Sequence, residues 1–444
     1  MTLGWTLADV ANATGGSLRG DSSTAIAAVG IDSRSVAFGE LFVAVTGDQF
    51  DGHDFVGHAL EQGAAAAVVS APDRQGWNPI VRVADTQAAL RDLAAARRLE
   101  LTMPVVAVTG STGKTSTKDL LAAALPTCWA SPRSYNNEFG VPLTVLATPD
   151  GAGYLVVEVG SRGAGHIAWL MPAVRPDVAI VTNLGVVHLE TFGTVAQLAA
   201  AKWELVESLG AGGIAVVPID DSRLHQSHRG RTVTFGESPR ADVAVAGITL
   251  DNRGRPSFTL TCDAGERPIK LQMAGRHQAL NAAAAVAAGQ ALGVELDTLV
   301  TGLEMARGSP WRMEVHDGPI TVVNDSYNAN PDSVAAALET VAELPGRHVA
   351  VLGQMAELGP VAEQEHLRIG GLVARLGYAV VIVIGDEPGI AQGAGPIARP
   401  VATPEEAEAV LRGFLREGDV VLVKASRAVG LEDLARRLIE VTAP

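Results

Sequence analysis

The chain contains 444 residues, 47% of them hydrophobic, with a formal net charge of −15, which predicts roughly two to four packed domains rather than a disordered chain. The excess of acidic residues argues against nonspecific nucleic-acid binding, because that activity needs a basic surface. The two cysteines lack metal-binding spacing, and neither a signal peptide nor a run of roughly 18 apolar residues occurs, which indicates a cytoplasmic protein without membrane insertion.

Residues 1–102 predict a small N-terminal α/β domain. Short apolar runs predict its strands, and longer segments of helical periodicity predict its helices. These segments are, in chain order, 41–45 (strand), 57–62 (helix), 67–69 (strand), 80–83 (strand) and 86–101 (helix). The dipeptide Met103-Pro104 predicts a short hinge before the second unit.

A glycine-rich loop between a strand and a helix opens the second unit. Its residues are Gly110, Ser111, Thr112, Gly113, Lys114 and Thr115. In such a loop the backbone N–H groups and the helix dipole face phosphate, the lysine reaches the terminal phosphates and the threonine hydroxyl binds Mg²⁺. Val108 stands where the complete pattern has its first glycine, so a plain glycine turn is the alternative to the predicted nucleoside triphosphate site.

The second unit, which we place at 103–308, alternates apolar strands with helices. Continuous apolar runs predict a parallel sheet that is buried on both faces, followed by a β-rich patch and an Ala-rich helix. The predicted strands are 105–109, 155–159, 178–182 and 214–217, the patch is 232–273 and the helix is 278–292.

Charged side chains follow two of these strands, at the edge where α/β sheets bind ligands. Glu158 ends one strand and could hold Mg²⁺ opposite the glycine-rich loop, with a surface glutamate as the alternative. His188 and Glu190 follow the next strand, where a metal or substrate role and a structural role are both open.

Lysine is rare in this chain, which has only five, so a lysine suggests a role for which arginine would not serve. Lys114 fits that expectation. Lys202 follows the helical run 195–201, and on its pattern alone it could be solvated. We expect Lys118 and Lys270 to be solvated surface residues.

Residues 309–444 predict a C-terminal, doubly wound, Rossmann-like domain. Strands alternate with helices, and polar clusters at 324–326, 353–355 and 424–427 follow the strands, where such sheets bind ligands. The predicted strands are 320–323, 349–352, 380–384 and 420–423, and the predicted helices are 332–344, 363–376 and 404–416.

One loop of this unit crowds polar side chains before Pro331. Asp325 can accept ribose hydroxyls and Tyr327 can stack on a base, whereas an Asx-rich turn that caps the next helix is the alternative. Arg312, at the border of the second and third units, could clamp a phosphate or form an interdomain ion pair.

Together these motifs resemble the Mur ligase family of peptidoglycan synthesis, and the resemblance spans the whole chain. It also includes Thr182-Asn183-Leu184-Gly185, Gly275-Arg276-His277 and Asn281. The strings at 136–142, 325–331 and 355–359 are similar to the branch of the family that adds D-alanyl-D-alanine to UDP-N-acetylmuramoyl-tripeptide, and the string at 51–55 is similar to that branch and to a sister branch.

The resemblance implies an ATP-dependent ligase with two Mg²⁺ ions. Lys114 and the loop amides would hold the ATP phosphates, and Thr115 and Glu158 would bind one Mg²⁺. The lysine that matches Lys202 is commonly carbamylated in this family, and its carbamate would join His188 and Glu158 around the second ion.

The resemblance also implies substrate contacts in all three units. Nucleotide would be held by Asn281, Arg312, Asp325 and Tyr327, the UDP-substrate by Ser33, Arg34 and Asn137, and the dipeptide by Asn328, Lys424, Ser426 and Arg427. Lys424 or Arg427 could pair with the free carboxylate of the dipeptide. The chain departs from the family pattern at Gln278, Trp311 and Gln354, where Asn, Gly and Asp are usual.

The implied reaction is amide bond formation through an acyl-phosphate, giving UDP-N-acetylmuramoyl-pentapeptide, ADP and phosphate. The expected partners are small molecules only, and a monomer is expected. Domain closure about hinges at 103–104 and 309–310 would keep water from the acyl-phosphate. The alternatives are another amide ligase of the Mur or folylpolyglutamate synthetase type, or a P-loop regulatory NTPase; the string 325–331 argues against the first, and the lack of Asn-Lys-x-Asp argues against a GTPase.

Overall fold

A computed structural model describes residues 3–47, 50–71, 76–185, 189–385 and 388–442. Three main sheets, of five, nine and six strands, follow one another along the chain, and helices flank each of them. The predicted three-unit α/β fold is confirmed. Among the described residues, the helices are all too short or too polar to cross a membrane.

The first unit has a five-stranded sheet and a separate two-stranded ladder. Its elements are β1 (Trp5–Thr6), α1 (Leu7–Thr14), β2 (Ser17–Arg19), β3 (Ala25–Ile26), β4 (Ala28–Gly30), β5 (Glu40–Val43), α2 (Val56–Glu61), β6 (Ala66–Val69), β7 (Ile80–Arg82) and α3 (Thr86–Glu100). The sheet order is β2-β7-β6-β5-β4, with β2 antiparallel to β7 and the others parallel. Helix α3 begins where the Asp85 carboxylate accepts hydrogen bonds from the amides of Gln87 and Ala88.

The second unit has a nine-stranded sheet. Its strands are β8 (Val105–Thr109), β9 (Cys128–Ala130), β10 (Tyr154–Glu158), β11 (Val178–Val181), β12 (Ile214–Pro218), β13 (Arg231–Gly236), β14 (Val243–Leu250), β15 (Pro256–Cys262) and β16 (Gly265–Lys270). Its helices are α4 (Lys114–Ala124), α5 (Gly140–Leu146), α6 (His166–Val174), α7 (Leu189–Phe192), α8 (Val195–Glu207), α9 (Gln278–Ala291) and α10 (Leu296–Met305).

Strand order in this sheet positions the site. The order is β16-β15-β14-β13-β12-β11-β8-β10-β9, parallel from β9 to β14 and antiparallel from β14 to β16. Strand β8 lies between β10 and β11, and Glu158 pairs with Val108 in register. The ends of β10 and β11 therefore flank the glycine-rich loop that follows β8.

The third unit has a six-stranded sheet with helices on both faces. Its elements are β17 (Glu314–His316), β18 (Thr321–Asn324), α11 (Pro331–Ala342), β19 (Arg347–Gly353), α12 (Ala362–Arg375), β20 (Val380–Ile384), α13 (Pro388–Ala394), β21 (Ala398–Val401), α14 (Pro404–Phe414), β22 (Asp419–Lys424) and α15 (Glu432–Thr442). The order is β17-β18-β22-β19-β20-β21, and only the edge strand β17 is antiparallel among the described strands. Because β18 and β22 are neighbours, the loop after Asn324 lies beside Lys424.

One hydrophobic core extends from the first unit into the second. It contains Leu90 and Leu93 of α3 together with Val141 of α5 and Val105 of β8. The third unit has its own two cores, one on each face of its sheet, to which the second unit contributes Ala274 among the described residues. The apolar packing therefore joins the first two units more closely than it joins the third.

The structure corrects two expectations about lysines. Lys118 is not solvated: its side chain is 5% exposed and pairs with Asp119 at 2.6 Å. Lys202 lies within α8 rather than after a helix, and it is 1% exposed. Lys270 is exposed, as expected.

Candidate functional site

The glycine-rich loop turns sharply at two glycines in left-handed conformations. Gly110 has φ +143° and Gly113 has φ +78°. A Cβ at Gly110 would lie 2.0 Å from Thr182 Oγ1, and a Cβ at Gly113 would lie 2.6 Å from Asn281 Oδ1. Other residues are therefore excluded at both positions by close neighbours as well as by backbone conformation.

Thr182 and Asn183 hold the loop in this shape. Thr182 Oγ1 donates to the Thr112 carbonyl at 2.5 Å, and the Thr112 amide donates to Asn183 Oδ1 at 2.9 Å. The Ser111 amide donates to the Asn183 carbonyl at 3.1 Å. The amides of Ser111 and Thr112 are thus engaged, whereas the first-turn amides of α4 have no partner within the helix and suit an anion.

Lys114, Thr115 and Glu158 meet at the start of α4. Lys114 Nζ donates to the Gly110 carbonyl at 2.7 Å. Burial lowers the pKa of the Lys114 ammonium, Glu158 opposes that shift and Arg312 reinforces it. Thr115 Oγ1 donates to Glu158 Oε2 at 2.9 Å. Glu158 is 1% exposed, so its interpretation as a surface glutamate is wrong.

Asn136 and Ser131 complete the surroundings of Glu158. Asn136 Nδ2 donates to Glu158 Oε1 at 2.7 Å, and the Glu158 amide donates to Ser131 Oγ at 3.0 Å. The residue pattern singles out Asn136 only as a member of the string 136–142. Its contact with Glu158 joins positions on separate elements, which residue spacing does not reveal.

Lys202 is a buried amine in the same region. Burial lowers its pKa well below the ordinary lysine value, and the positive charge of Lys114 lowers it further, against an opposing effect of Glu204. His188, its predicted neighbour at a second metal ion, lies outside the described residues. Glu190 is exposed on α7, and its backbone lies against Gly359 of the third unit.

Asn281 approaches the loop from α9. Asn281 Nδ2 donates to Gln278 Oε1 at 2.9 Å, and Asn281 Oδ1 lies beside Gly113. Gln278 stands where the family usually has Asn, and its longer side chain also reaches Ser116 Oγ at 3.4 Å. The departure at Gln278 thus retains a polar group that orients the Asn281 amide.

Arg312 approaches the same loop from the linker between the second and third units. Arg312 Nη2 donates to Ser134 Oγ at 3.0 Å, and its guanidinium stacks on the Tyr327 ring at 4.1 Å. Ser134 Oγ lies 3.4 Å from Thr115 Oγ1. The structure therefore brings Arg312 and Tyr327 of the third unit to the loop of the second.

Asp325 and Lys424 form a buried ion pair at 2.6 Å. Asp325 Oδ1 accepts from the Met313 amide at 3.1 Å, and Lys424 Nζ also donates to the Asn328 carbonyl at 2.8 Å. Lys424 is 2% exposed. This pairing argues against the expectation that Lys424 binds the carboxylate of the dipeptide, because its ammonium is already satisfied within the protein.

The other dipeptide candidates differ in accessibility. Ser426 Oγ is buried and has no hydrogen-bond partner among the described residues, whereas Asn328 is exposed. Arg427 is half-exposed, pairs with Glu432 at 2.9 Å and stacks on the Trp311 ring at 5.0 Å. Arg427 is thus the more accessible of the two cations assigned to this region.

The candidates for the UDP-substrate lie in the first unit and just before α5 of the second. Ser33 is buried, whereas the Arg34 side chain is 86% exposed and pairs with Asp32 at 2.7 Å. The hydrogen bonds from Arg34 lower the pKa of Asp32 to about 2. Asn137 Oδ1 accepts from the Gly140 amide at 2.8 Å at the start of α5. Helix α5 contacts β4, the strand before Ser33, so neighbouring elements carry these candidates.

A charged cluster that the residue pattern did not single out lies beyond β10. Arg162 Nη1 pairs with Glu138 Oε1 at 2.8 Å, and His166 Nε2 lies 3.6 Å from Glu138 Oε2. Burial lowers the pKa of His166, against an opposing effect of Glu138. The sequence gives one signal for this cluster, which is that Glu138 belongs to the string 136–142.

Comparisons with known proteins cover nearly the whole chain. The matching family models are Mur ligase family, catalytic domain, over residues 25–103, Mur ligase middle domain, over 108–289, and Mur ligase, glutamate ligase domain, over 311–427. The UDP-N-acetylmuramoyl-tripeptide–D-alanyl-D-alanine ligase of Escherichia coli is 35% identical over 98% of both chains. The enzyme of the same name from Mycobacterium leprae is 37% identical and covers 93% of this chain and 92% of its own.

Solved structures give the same result. A crystal structure of MurF from Acinetobacter baumannii superposes with a TM-score of 0.91 at 31% identity, covering 98% of this chain and 99% of its own. MurF ligase from Thermotoga maritima in complex with ADP superposes with a TM-score of 0.84 at 31% identity, covering 94% and 98%.

Proposed function

The chain belongs to the Mur ligase family, and from that premise we propose that it joins D-alanyl-D-alanine to UDP-N-acetylmuramoyl-tripeptide in an ATP-dependent reaction. The products are UDP-N-acetylmuramoyl-pentapeptide, ADP and phosphate. Relatives named for this reaction are 33% to 37% identical over nearly the whole chain, which supports the assignment.

One arrangement carries the proposal: a cradle for a nucleoside triphosphate that is completed across two units. Lys114 and the first-turn amides of α4 would hold the phosphates, and Thr115 bonds to the buried Glu158 beside them. Arg312 approaches from the third unit through Ser134. A phosphoryl group held there would meet positive charge from both units, as phosphoryl transfer requires.

The donor set at Thr115 and Glu158 fits Mg²⁺. This ion prefers oxygen ligands and often takes one or two carboxylates together with substrate phosphates. Thr115 Oγ1 and Glu158 Oε2 lie 2.9 Å apart, and a carbamate on Lys202 would add oxygen donors for a second ion. His188 belongs to this second set by prediction. When bound, Mg²⁺ would neutralise charge on the transferring phosphoryl group.

The reaction has two steps that these residues serve. The carboxylate of the tripeptide attacks the γ-phosphorus of ATP, ADP leaves, and Lys114 stabilises the charge on the transferred phosphoryl group. The amine of D-alanyl-D-alanine then attacks the acyl carbon of the acyl-phosphate, the C–O bond to phosphate breaks, and the nitrogen loses a proton as the amide forms and phosphate leaves. Arg312 and Tyr327 bring the third unit over the site, which keeps water from the acyl-phosphate.

We assign the substrate contacts as follows. Arg427 pairs with the dipeptide carboxylate, with Asn328 and Ser426 beside it, whereas Lys424 orders the nucleotide-binding loop through Asp325. Nucleotide contacts come from Asn281, Arg312, Asp325 and Tyr327. The UDP-substrate contacts Ser33, Arg34 and Asn137.

We also propose unit boundaries at 1–102, 103–308 and 309–444, a monomer and a cytoplasmic location. The supply of ATP and the two cysteines, neither of which forms a disulfide, fit that location. Size-exclusion chromatography with light scattering tests the monomer, because a mass near twice 45.9 kDa would contradict it.

The deciding experiment measures phosphate release from ATP with UDP-N-acetylmuramoyl-tripeptide, with and without D-alanyl-D-alanine. We expect release only when both are present, and a product whose mass corresponds to the pentapeptide. Release with a single amino acid in place of the dipeptide would indicate another amide ligase. Release with neither substrate would indicate a regulatory NTPase.

A second experiment tests the carbamate on Lys202. Lys202→Arg removes the amine that captures CO₂, so we expect kcat to fall at least about a hundredfold. The exposed Lys270 offers a matched control, since Lys270→Arg makes the same change in the same unit. Equal activity of the two variants would contradict a carbamate.

A further inference from the structure

Lys118 and Asp119 form a buried ion pair on α4, one turn beyond the phosphate loop. Their charged groups lie 2.6 Å apart, and their side chains are 5% and 11% exposed. Burying two charges is costly unless further hydrogen bonds satisfy both of them. Each partner has such bonds here. Those of Lys118 go to the loop before Ser134, which accepts from Arg312, and those of Asp119 go to the linker that carries Arg312.

Lys118 shapes the loop that receives the Arg312 side chain. Lys118 Nζ donates to the carbonyls of Ser131 and Arg133, both at 3.1 Å. Arg133 has φ +48°, a conformation uncommon for arginine, so the turn needs such contacts to hold it. The next residue is Ser134, whose hydroxyl accepts from Arg312 Nη2 at 3.0 Å.

Asp119 holds the linker from which Arg312 projects. Asp119 Oδ2 accepts from the Ser309 amide at 2.9 Å and from the Ser309 hydroxyl at 2.7 Å. The residues on either side of Arg312 are strained, because Trp311 has φ +64° and Met313 has φ +50°. A strained segment keeps its shape only when its ends are fixed, and Asp119 fixes the end on the second unit.

We propose that Lys118 and Asp119 are positioning residues that place Arg312 at the phosphates of ATP. The proposal rests on the proposed function for the identity of that ligand. Lys118 sets the acceptor of the guanidinium, and Asp119 sets the path of the linker. Both act through Arg312, and both sit on the helix whose first turn carries Lys114 and Thr115.

The test measures ATP binding by calorimetry without the other substrates, and the KM for ATP during ligation. Asp119→Asn is expected to weaken ATP binding and raise this KM about tenfold, with kcat changed less than about threefold. Ser309→Ala removes one of the two hydrogen bonds, so an increase of about threefold in the KM for ATP is expected. Asp263→Asn, at an exposed turn of the same unit, is the matched control.

A double-mutant cycle separates positioning from a general loss of structure. In the Arg312→Ala background, Asp119→Asn should change ATP affinity by less than about twofold, because the residue it acts through is gone. An equal loss in both backgrounds, or unchanged affinity in the single variant, overturns the proposal. If the Asp119→Asn variant does not fold, the same double-mutant cycle is measured with Ser309→Ala and Arg312→Ala.

The two hypotheses fail separately. Lack of ligation by the unaltered chain would contradict the proposed function. The calorimetric cycle needs no ligation, so it still decides whether Asp119 acts through Arg312.

Discussion

The second unit meets the first mainly through apolar packing and the third mainly through polar contacts. Helix α3 packs on α5 and α6, where Leu93 and Val141 belong to one continuous core. Toward the third unit, Arg253 Nη2 donates to the Val315 carbonyl at 3.1 Å, and Ser309 bonds to Asp119. The two interfaces therefore respond differently to separation.

Separating the apolar interface would cost about 25 cal/mol of free energy for each Å² of hydrocarbon surface exposed to water. Polar groups regain hydrogen bonds with water when they separate, so their net contribution is only about 1 kcal/mol each. We therefore expect the first two units to move as one body and closure to occur at Ser309-Pro310. Met103 is 7% exposed in the shared core, which argues against the predicted hinge at Met103-Pro104.

The largest effect is expected from a cavity in the shared core. Leu93→Ala should lower the free energy of unfolding by about 2–5 kcal/mol, because Leu93 is fully buried. Urea denaturation measures this loss, and kcat/KM of the folded variant should stay within about twofold. Leu99 on the same helix is 68% exposed, so Leu99→Ala is the matched control. Equal losses in the two variants would contradict a shared core at Leu93.

Arg312→Ala tests the opposite interface. We expect kcat/KM for ligation to fall about 10²- to 10³-fold, because a charge at the transferring phosphoryl group is lost. The free energy of unfolding should change by less than about 1 kcal/mol, since Arg312 contributes one hydrogen bond to Ser134 and a stacking contact with Tyr327 and belongs to no apolar core among the described residues. Arg307→Ala, at an exposed position shortly before the linker, is the control. A large loss of stability together with normal ligation would contradict the assignment of Arg312 to a polar interface that serves the reaction.

Arg97→Met sharpens the comparison, because Arg97 is a polar contact inside the apolar interface. Arg97 Nη2 donates to the Thr148 carbonyl at 3.0 Å, and the guanidinium pairs with Glu100 and Asp150. We expect a stability loss of about 1–3 kcal/mol by urea denaturation, with ligation unchanged. An effect on ligation without one on stability would show that this interface moves during turnover.

The smallest effect is expected at the edge of the polar interface. Arg253 is 40% exposed and lies 3.1 Å from Asp317 of the third unit. Arg253→Ala should cost less than about 1 kcal/mol of stability and raise the KM for ATP about twofold at low salt. The KM difference should disappear at high salt, because screening already removes the ion pair. A difference that persists at high salt would point to a packing role instead.

Local patterns were enough to predict the glycine-rich loop and the side chains that lie beside it. The glycine loop, Lys114 and Thr115 are contiguous, and Glu158 ends the strand that neighbours β8, so one motif and one topology rule describe them. Helices α5 and α6 were not predicted. Pro142 lies in the first turn of α5 and Pro172 lies inside α6, and proline obscures helical periodicity.

Contacts between distant segments could not be predicted from the sequence. Lys118 and Lys202 both lie on helices of the second unit, yet Lys118 is satisfied by carbonyls of a later loop, whereas burial is the main cause of the lowered pKa of Lys202. Lys424 is likewise paired with Asp325, 99 residues away. Whether a lysine is solvated, paired or neutral depends on the elements packed around it, and spacing along one element does not carry that information.

The left-handed backbone at Trp311 has a consequence for the timing of turnover. A tryptophan with φ +64° is strained by roughly 1–2 kcal/mol, and straightening of the linker would release that strain. We therefore expect this linker conformation to persist longer with glycine at this position. We expect Trp311→Gly to slow product release, so that a burst of bound pentapeptide precedes steady turnover in rapid-quench measurements. A variant without a burst and with faster steady turnover would show that the linker stores no such strain.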